Sequence, residues 1–82
     1  MPSKQDLERI DAVLLAVMCK KIAKDPSVDT NAAEKARQLM QEWVALTERE
    51  MPPKPAKKDY DQMEADIDAL KSRMAEFLAP FV

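Results

Sequence analysis

The 82-residue chain contains no glycine, no histidine and a single cysteine. Without glycine there is no phosphate-cradling loop and no dinucleotide-binding turn, because both bring the backbone close to phosphate where a Cβ would interfere. Without histidine, the Ser–His and Cys–His relays and the imidazole metal sites are excluded. One cysteine can make neither an internal disulfide nor a zinc cluster. We therefore expect a protein that is not an enzyme and that holds neither a metal ion nor a cofactor.

Long hydrophobic runs are also missing. The longest, Ala12 to Cys19, has eight residues, less than half of what a bilayer span needs. No signal peptide is readable, because Asp6 and Glu8 interrupt what would have to be a basic start and an apolar middle. A lone thiol suits a reducing compartment. We expect a cytoplasmic protein that does not enter a membrane.

Charge is abundant but nearly balanced. Thirteen Lys and Arg stand against fifteen Asp and Glu, which gives a net charge of −2. Residues 52–58 carry three lysines and no acid, whereas residues 59–82 are acidic overall. No strong field of one sign attracts nucleic acid or anionic lipid, so we do not expect nucleic acid as the partner.

The first predicted helix runs from an N-cap at Ser3, with Asp6 as the partner in a capping box, to the vicinity of Lys24. Pro26 disfavours helical geometry at the residue before it and so ends the helix. Larger apolar side chains recur at a helical period: Leu7, Ile10, Leu14, Val17, Met18 and Ile22. A stripe of smaller ones lies opposite: Ala12, Leu15, Ala16, Cys19 and Ala23. Residues 12–19 are thus apolar all round, and the helix must be covered on more than one side.

The second predicted helix begins near Thr30 or Asn31, and Pro52 and Pro53 end it. Asn31 with Glu34 has the spacing of a capping box, and Asp29 is an alternative N-cap. One face is apolar and the other is charged. The apolar stripe, which Val44 widens, consists of Ala36, Leu39, Met40, Trp43, Leu46 and Thr47.

Residues 52–58 predict a stiff linker, because three prolines in four residues favour polyproline II. The third predicted helix starts at a cap formed by Asp59 with Gln62 and continues to Pro80, after which Phe81 and Val82 form an apolar tail. Its apolar residues follow an unbroken a/d heptad: Tyr60, Met63, Ile67, Leu70, Met74, Phe77 and Phe81. This pattern is typical of a helix that packs along a narrow line against a long partner.

The predicted fold is all-α: a helical hairpin over residues 1–51, the linker 52–58, and a coiled-coil-like helix over 59–82, forming a three-helix or an oligomeric bundle. More apolar surface is present than one small bundle easily hides, so we expect a homodimer or higher oligomer. The third helix or the small-residue stripe of the first helix would form the interface. Residues predicted to contact another copy or a second protein are the seven heptad residues together with Val44, Leu78 and Val82.

Several candidate sites have structural explanations that we prefer. Cys19 is expected to be a small core residue, and Trp43 a core or interface anchor. The acids between Asp59 and Asp68 lack the glycine turn of a calcium loop and are expected to form a solvated face. Pro52-x-x-Pro55 matches a polyproline recognition pattern, but a spacer between helices explains it as well.

The predicted function is a small non-enzymatic interaction module, of the bacterial or phage accessory, adaptor or inhibitor kind, that docks helices and self-associates. Two alternatives remain. One is a helical DNA-binding regulator, whose phosphate contacts would be Lys20, Lys21, Lys24, Lys54, Lys57 and Lys58. The other is a chaperone for a secreted helical partner, which would use the same features as the interaction module.

Overall fold

A computed structural model describes residues 4–81, so the predictions that concern Ser3 and Val82 lie outside the described residues. Within this part of the chain every regular element is helical, and the order is α1 Lys4–Glu8, α2 Ala12–Lys24, α3 Thr30–Thr47, α4 Lys57–Leu78 and a final 3-10 turn Ala79–Phe81. The predicted all-α class is confirmed.

The prediction of one continuous first helix is wrong. The chain leaves helical geometry after Glu8 and resumes it at Ala12, because Asp11 takes the N-cap position of α2. Its Oδ1 accepts a hydrogen bond from the backbone N–H of Val13 at 2.8 Å. An aspartate inside a helix competes for the backbone in this way, and here the competition divides the helix in two. The break lets α1 pack on α4 rather than continue along α2.

The α2–α3 hairpin closes through five residues, 25–29. Asp25 accepts hydrogen bonds at its Oδ1 from both the backbone N–H and the hydroxyl of Ser27, and these bonds lower the pKa of its carboxyl group. Asp29 is the N-cap of α3 and accepts from the backbone N–H of Asn31 at 3.1 Å. Of the two caps considered from the sequence, the structure therefore uses Asp29.

Helix α4 begins at Lys57, two residues before the predicted start. Asp59 does not cap it from outside, since its Oδ2 accepts from the backbone N–H of Ala56 at 2.8 Å from within the first turn. Lys57 and Lys58, which the sequence assigned to the linker, consequently lie in this first turn. Residues 48–56 connect α3 to α4 without forming a helix.

Two ion pairs to α4, one from α3 and one from the connection just after it, show by their order along the chain that α3 and α4 run antiparallel. Arg73 donates to both carboxylate oxygens of Glu42, at 2.6 and 2.8 Å, and Arg49 lies 2.7 Å from a carboxylate oxygen of Asp66. Hydrogen bonding to Arg49 lowers the pKa of Asp66, and hydrogen bonding to Glu42 raises the pKa of Arg73.

The core lies where α2 packs against both α3 and α4, with α1 closing one side against α4. No polar or charged residue among the described ones is buried. Helix α2 contributes the small-residue stripe to this core, and small side chains allow helix axes to approach closely. The main buried cluster consists of Leu7, Leu15, Ala16, Cys19, Leu39, Leu46, Leu70, Met74, Ala75 and Leu78.

Candidate functional site

One uncovered apolar surface lies on a face of α2, which we call the α2 outer face. It consists of Val13, Leu14 and Val17, whose exposed fractions are 55%, 56% and 44%. The spacings of three and four residues place these side chains together on a helix. Because the opposite side of α2 packs on both α3 and α4, the outer face points away from the rest of the bundle.

Two alternative interfaces were predicted from the sequence, the third helix or the small-residue stripe of the first. Leu15, Ala16 and Cys19 are at most 3% exposed within the chain's own core, so the second alternative is wrong. Residues 12–19 are apolar all round, and the pattern alone does not say which side faces inward. The close approach of α3 and α4 selects the side with the smaller side chains, and larger ones remain in contact with solvent.

The C-terminal half of the same face is basic. Lys20, Lys21 and Lys24 are all exposed and follow Val17 at helical spacing. The α2 outer face therefore changes along the helix axis, from an apolar half near its N-terminus to a basic half near its C-terminus. Lysines in the last turns also suit the negative end of the helix dipole.

The predicted heptad residues of α4 do not share one environment. Leu70 and Met74 are buried, as is Leu78, so these three belong to the chain's own core and offer no surface to a partner. Met63 and Ile67 are half-buried against that core. Tyr60, in contrast, is 59% exposed near the start of the helix.

Phe77 and Phe81 come together at the other end of α4. Their ring centroids lie 5.3 Å apart and the rings are tilted by 45°, a favourable aromatic geometry. Both line a groove of about 640 Å³ between the N-terminal half of α3 and the C-terminal end of α4. Lys35 and Arg73 lie at the same groove. Phe81 is 43% exposed there, whereas Phe77 is half-buried.

A second cavity, of about 310 Å³, lies further along the contact between α3 and α4 and includes Leu46, Asp66 and Leu70 in its lining. Arg73 lines both this cavity and the groove that holds Phe77 and Phe81. Its ion pair with Glu42 therefore spans the cleft between the two helices and separates one hollow from the other.

Val44, the predicted contact residue on α3, is 43% exposed. It lies in a shallow hollow of its own, which Met40, Gln41, Ala45 and Glu48 complete. No residue of α2 lines this hollow. Trp43, on the neighbouring position, is half-buried and packs against the core, in agreement with its predicted role as a packing anchor.

The six lysines considered as phosphate contacts are exposed, but they do not form one patch. Lys20, Lys21 and Lys24 lie on α2 toward the hairpin connection that leads into the N-terminus of α3. Lys54, Lys57 and Lys58 lie after the C-terminus of α3. Helix α3 has 18 residues and a length of about 27 Å, which separates the two groups.

The thiol of Cys19 is fully buried, and burial raises its pKa to about 11. Its predicted place as a small core residue is confirmed. In residues 4–81, acidic and cysteine side chains do not converge in any group of three that could hold a metal ion. None of the helices in this range combines the length and the hydropathy that a bilayer crossing requires.

These observations define the class of the molecule: over the described residues it is a small all-α helical bundle with an apolar core and an uncovered apolar face on α2. Comparison with known proteins found no match: no family model, no curated protein and no solved structure is similar to the chain.

Proposed function

We propose that the chain is a small non-enzymatic protein–protein interaction module, of the accessory, adaptor or inhibitor kind, that docks a helix on the α2 outer face. The proposal rests on the exposure of Val13, Leu14 and Val17, each between 44% and 56%. A single exposed apolar residue is ordinary on any protein. Three neighbours on one face, with no charged residue between them, form a continuous apolar patch that a docked helix can cover.

The energetic gain from covering this face is moderate. Full burial of a Val or Leu side chain contributes about 1.5–3 kcal/mol, so covering three side chains that are about half exposed contributes on the order of 3 kcal/mol. That amount supports a reversible contact. We propose that the contact forms by helix packing of the coiled-coil kind and in the cytoplasm, where a single thiol remains reduced.

Site-specific photo-cross-linking in the native cell tests this proposal. A photo-reactive phenylalanine analogue is placed at Leu14, in the centre of the α2 outer face, and the matched control carries it at Gln41, an exposed position on α3. We expect a covalent adduct with a protein at Leu14 and much less at Gln41. Equal yields at the two positions, or no adduct at Leu14, would contradict the proposal.

Substitution of Val17 provides a second test with a close control. Val17 and Val44 are the same residue type, lie on helices and are 44% and 43% exposed. We expect Val17→Asp to abolish the adduct formed from Leu14 and Val44→Asp to leave it unchanged, while circular dichroism shows equal helicity. The identity of the adduct also distinguishes an adaptor from a chaperone, since a chaperone would carry a secreted helical protein.

Nucleic acid receives less support as the partner. Phosphate contacts require clustered positive charge. The six candidate lysines lie in two groups on either side of the length of α3, and the exposed surface of α4 includes Asp61, Glu64 and Asp68. We therefore propose a protein partner in preference to a DNA-binding role.

A further inference from the structure

We infer that α1 exchanges between copies of the chain: residues 9–11 straighten, and each α1 then packs on α4 of a second copy. In the single chain α1 spans Lys4–Glu8 and packs on its own α4. The place that it covers, which we call the α1 slot, comprises Ser72 and Glu76 of α4 and the core around Leu7. The segment that fits this slot is therefore α1, from the same chain or from another copy.

One buried side chain holds α1 in the slot. Leu7 is 1% exposed and belongs to the main buried cluster. Two polar contacts accompany it. Ser72 donates to Glu8 at 2.9 Å, and the exposed side chains of Lys4 and Glu76 lie 3.8 Å apart. Exposed ion pairs of this kind contribute little to stability. Leaving the slot therefore costs mainly the burial of Leu7 and the hole that remains in the core.

The backbone does not tie α1 to α2. Asp11 begins the hydrogen bonding of α2, and its carboxylate accepts from the N–H of Val13. Ile10 donates back to the carbonyl of Leu7 at 2.9 Å. Over residues 4–24, no backbone hydrogen bond crosses from the residues before Asp11 to those after it. The junction is thus a hinge, and only the cap at Asp11 favours its bent form locally.

The sequence of residues 4–24 is also compatible with one straight helix. It contains no glycine and no proline, and its apolar residues keep a helical period from Leu7 through Ile10 into α2. Straightening extends the helical ladder across the junction, because the N–H groups of residues 11–14 then bond to the carbonyls of residues 7–10. The chain therefore has two compatible backbone arrangements at this point, one bent and one straight.

The straight arrangement requires a second copy. Around a straight helix, Leu7 lies about 20° from Leu14 and about 135° from the middle of the small-residue stripe that faces the chain's own core. Leu7 then points away from that core and leaves its slot empty. Leu7 of a second copy fills the slot with the same contacts, as in other domain-swapped pairs. Each copy keeps the packing of α1 on α4 and gains the hydrogen bonds of the straight junction.

The balance between the two arrangements depends on concentration. The contacts between α1 and α4 are the same in both, so they do not decide it. The dimer gains the ladder across the junction, but it loses the cap at Asp11 and the independent motion of one copy. We therefore expect a weak dimer, with a dissociation constant on the order of 100 µM.

Substitutions at Asp11 test the hinge through the sign of their effect. Asp11→Ala and Asp11→Pro both remove the capping carboxylate. Alanine favours the straight helix and should lower the dissociation constant at least tenfold, because each dimer has two hinges. Proline fits the observed φ of −55° but breaks a continuous helix, so this variant should stay monomeric. Sedimentation equilibrium up to millimolar concentration measures both. A monomeric Asp11→Ala chain, or an equal effect of both substitutions, would overturn the inference.

Asp29 supplies the matched control. It caps α3 as Asp11 caps α2, and each carboxylate accepts from the N–H two residues on, at 3.1 and 2.8 Å. Pro26, however, prevents α2 and α3 from joining into one helix. Asp29→Ala should therefore change the dissociation constant less than twofold. A dimer strengthened equally by Asp29→Ala and Asp11→Ala would overturn the inference, because loss of any cap would then have the same effect.

Cross-linking shows whether α1 has changed copies. Lys4→Cys is introduced into one sample and Glu76→Cys into another, both together with Asp11→Ala, because these exposed side chains meet in the slot. Treatment of the mixture with a short bismaleimide should join unlike chains. Replacing Glu76→Cys by Gln41→Cys, exposed on α3, should give much less product, and the buried Cys19 does not compete. Failure to join unlike chains in a solution that sediments as dimer would overturn the inference.

The α1 slot lies on α4, and the α2 outer face points away from α4. Exchange of α1 and docking on the α2 outer face therefore fail separately. If Leu14 yields a photo-adduct with another protein while Asp11→Ala remains monomeric, the interaction module stands and the exchange is excluded. If Asp11→Ala dimerises as expected and Leu14 yields no adduct, the exchange stands and the proposed docking fails.

Discussion

At the scale of single residues, the thiol of Cys19 reports most directly on the packing of α2. It lies in the buried cluster with Leu15 and Ala16, on the side of the helix that faces α3 and α4. An apolar environment disfavours the thiolate, which is the form that reacts with alkylating and thiol-exchange reagents. The chemistry of this one side chain therefore distinguishes the observed packing from one in which α2 is turned with its small residues outward.

We predict that Cys19 reacts with a thiol reagent at pH 8 only when the chain unfolds. Native protein should resist modification, and the same protein in denaturant should react completely with 5,5′-dithiobis(2-nitrobenzoate). Complete and rapid reaction of the native chain would show that the small-residue side of α2 is not buried.

The raised pKa of Cys19 also predicts a pH dependence of stability. The folded state holds the proton up to a pKa of about 11, whereas the unfolded chain releases it near the ordinary value of 9.0. The free energy of unfolding should therefore fall between about pH 9 and pH 11, by up to about 3 kcal/mol for two pKa units. Urea titrations at both pH values measure it. Cys19→Ala, the control, should lack this part of the decrease, and an equal decrease in both proteins would contradict the prediction.

At the scale of elements, the break between α1 and α2 matters most, because it sets where α1 packs. Asp11 ends one helix and caps the next, and Leu7 reaches the core from α1 only because the chain turns at residues 9–11. The hydroxyl of Ser72 on α4 donates to Glu8 at 2.9 Å and holds the end of α1 in place. A straight helix over residues 4–24 would carry α1 along the axis of α2 and away from this contact.

We predict that Asp11→Ala lowers the free energy of unfolding by about 1 kcal/mol, because it removes the bond to the N–H of Val13. Asp11→Asn, which can also cap, should retain most of that stability. The change is measured by urea denaturation. In one continuous helix alanine would be the better residue at this position, so a stabilising Asp11→Ala would contradict the observed break.

A second prediction at this scale concerns the ion pair between Arg49 and Asp66. Its hydrogen bond lowers the pKa of the Asp66 carboxyl group in the folded state. The contribution of this ion pair to the free energy of unfolding should therefore be present above the ordinary aspartate pKa of about 3.8. It should be lost as the pH falls below that value and Asp66 is protonated. Arg49→Met should reduce this loss in acid unfolding followed by circular dichroism. An unchanged acid transition would show that the pair does not contribute.

Much at the level of helices was readable from the sequence. Pro26 indicated the end of the first helix, and the apolar stripe that contains Leu39 and Leu46 indicated the buried side of the second. The break at residues 9–11 was not readable, because Leu7 and Ile10 continue the helical period across it and hide the capping role of Asp11. The orientation of α2 was not readable either, since both of its sides are apolar and only packing against the other helices distinguishes them.

At the scale of the whole molecule, charge is distributed so that no large surface has one sign. Three exposed lysines lie on α2, three others lie near the start of α4, and exposed acids follow on α4 itself. The chain as a whole carries −2. The proposed association through the α2 outer face would therefore depend on local contacts, since long-range attraction of an anionic partner is weak.

We predict that the purified chain does not retard duplex DNA of about 30 base pairs in a gel, even near 50 mM salt, where phosphate contacts are strong. The double charge reversal Lys20→Glu with Lys21→Glu should leave the pattern unchanged. Retardation by the unsubstituted chain that this variant loses would support the DNA-binding alternative and contradict the protein-partner proposal.

The ion pair between Arg73 and Glu42 has a consequence for anything that lies along α3 and α4. The pair divides the cleft between α3 and α4 into two hollows, because Arg73 lines the hollow on either side of it. Both side chains are exposed, and exposed pairs contribute about 1 kcal/mol or less. Breaking this ion pair would therefore cost a long ligand little energy, and the two short hollows would merge into one elongated groove.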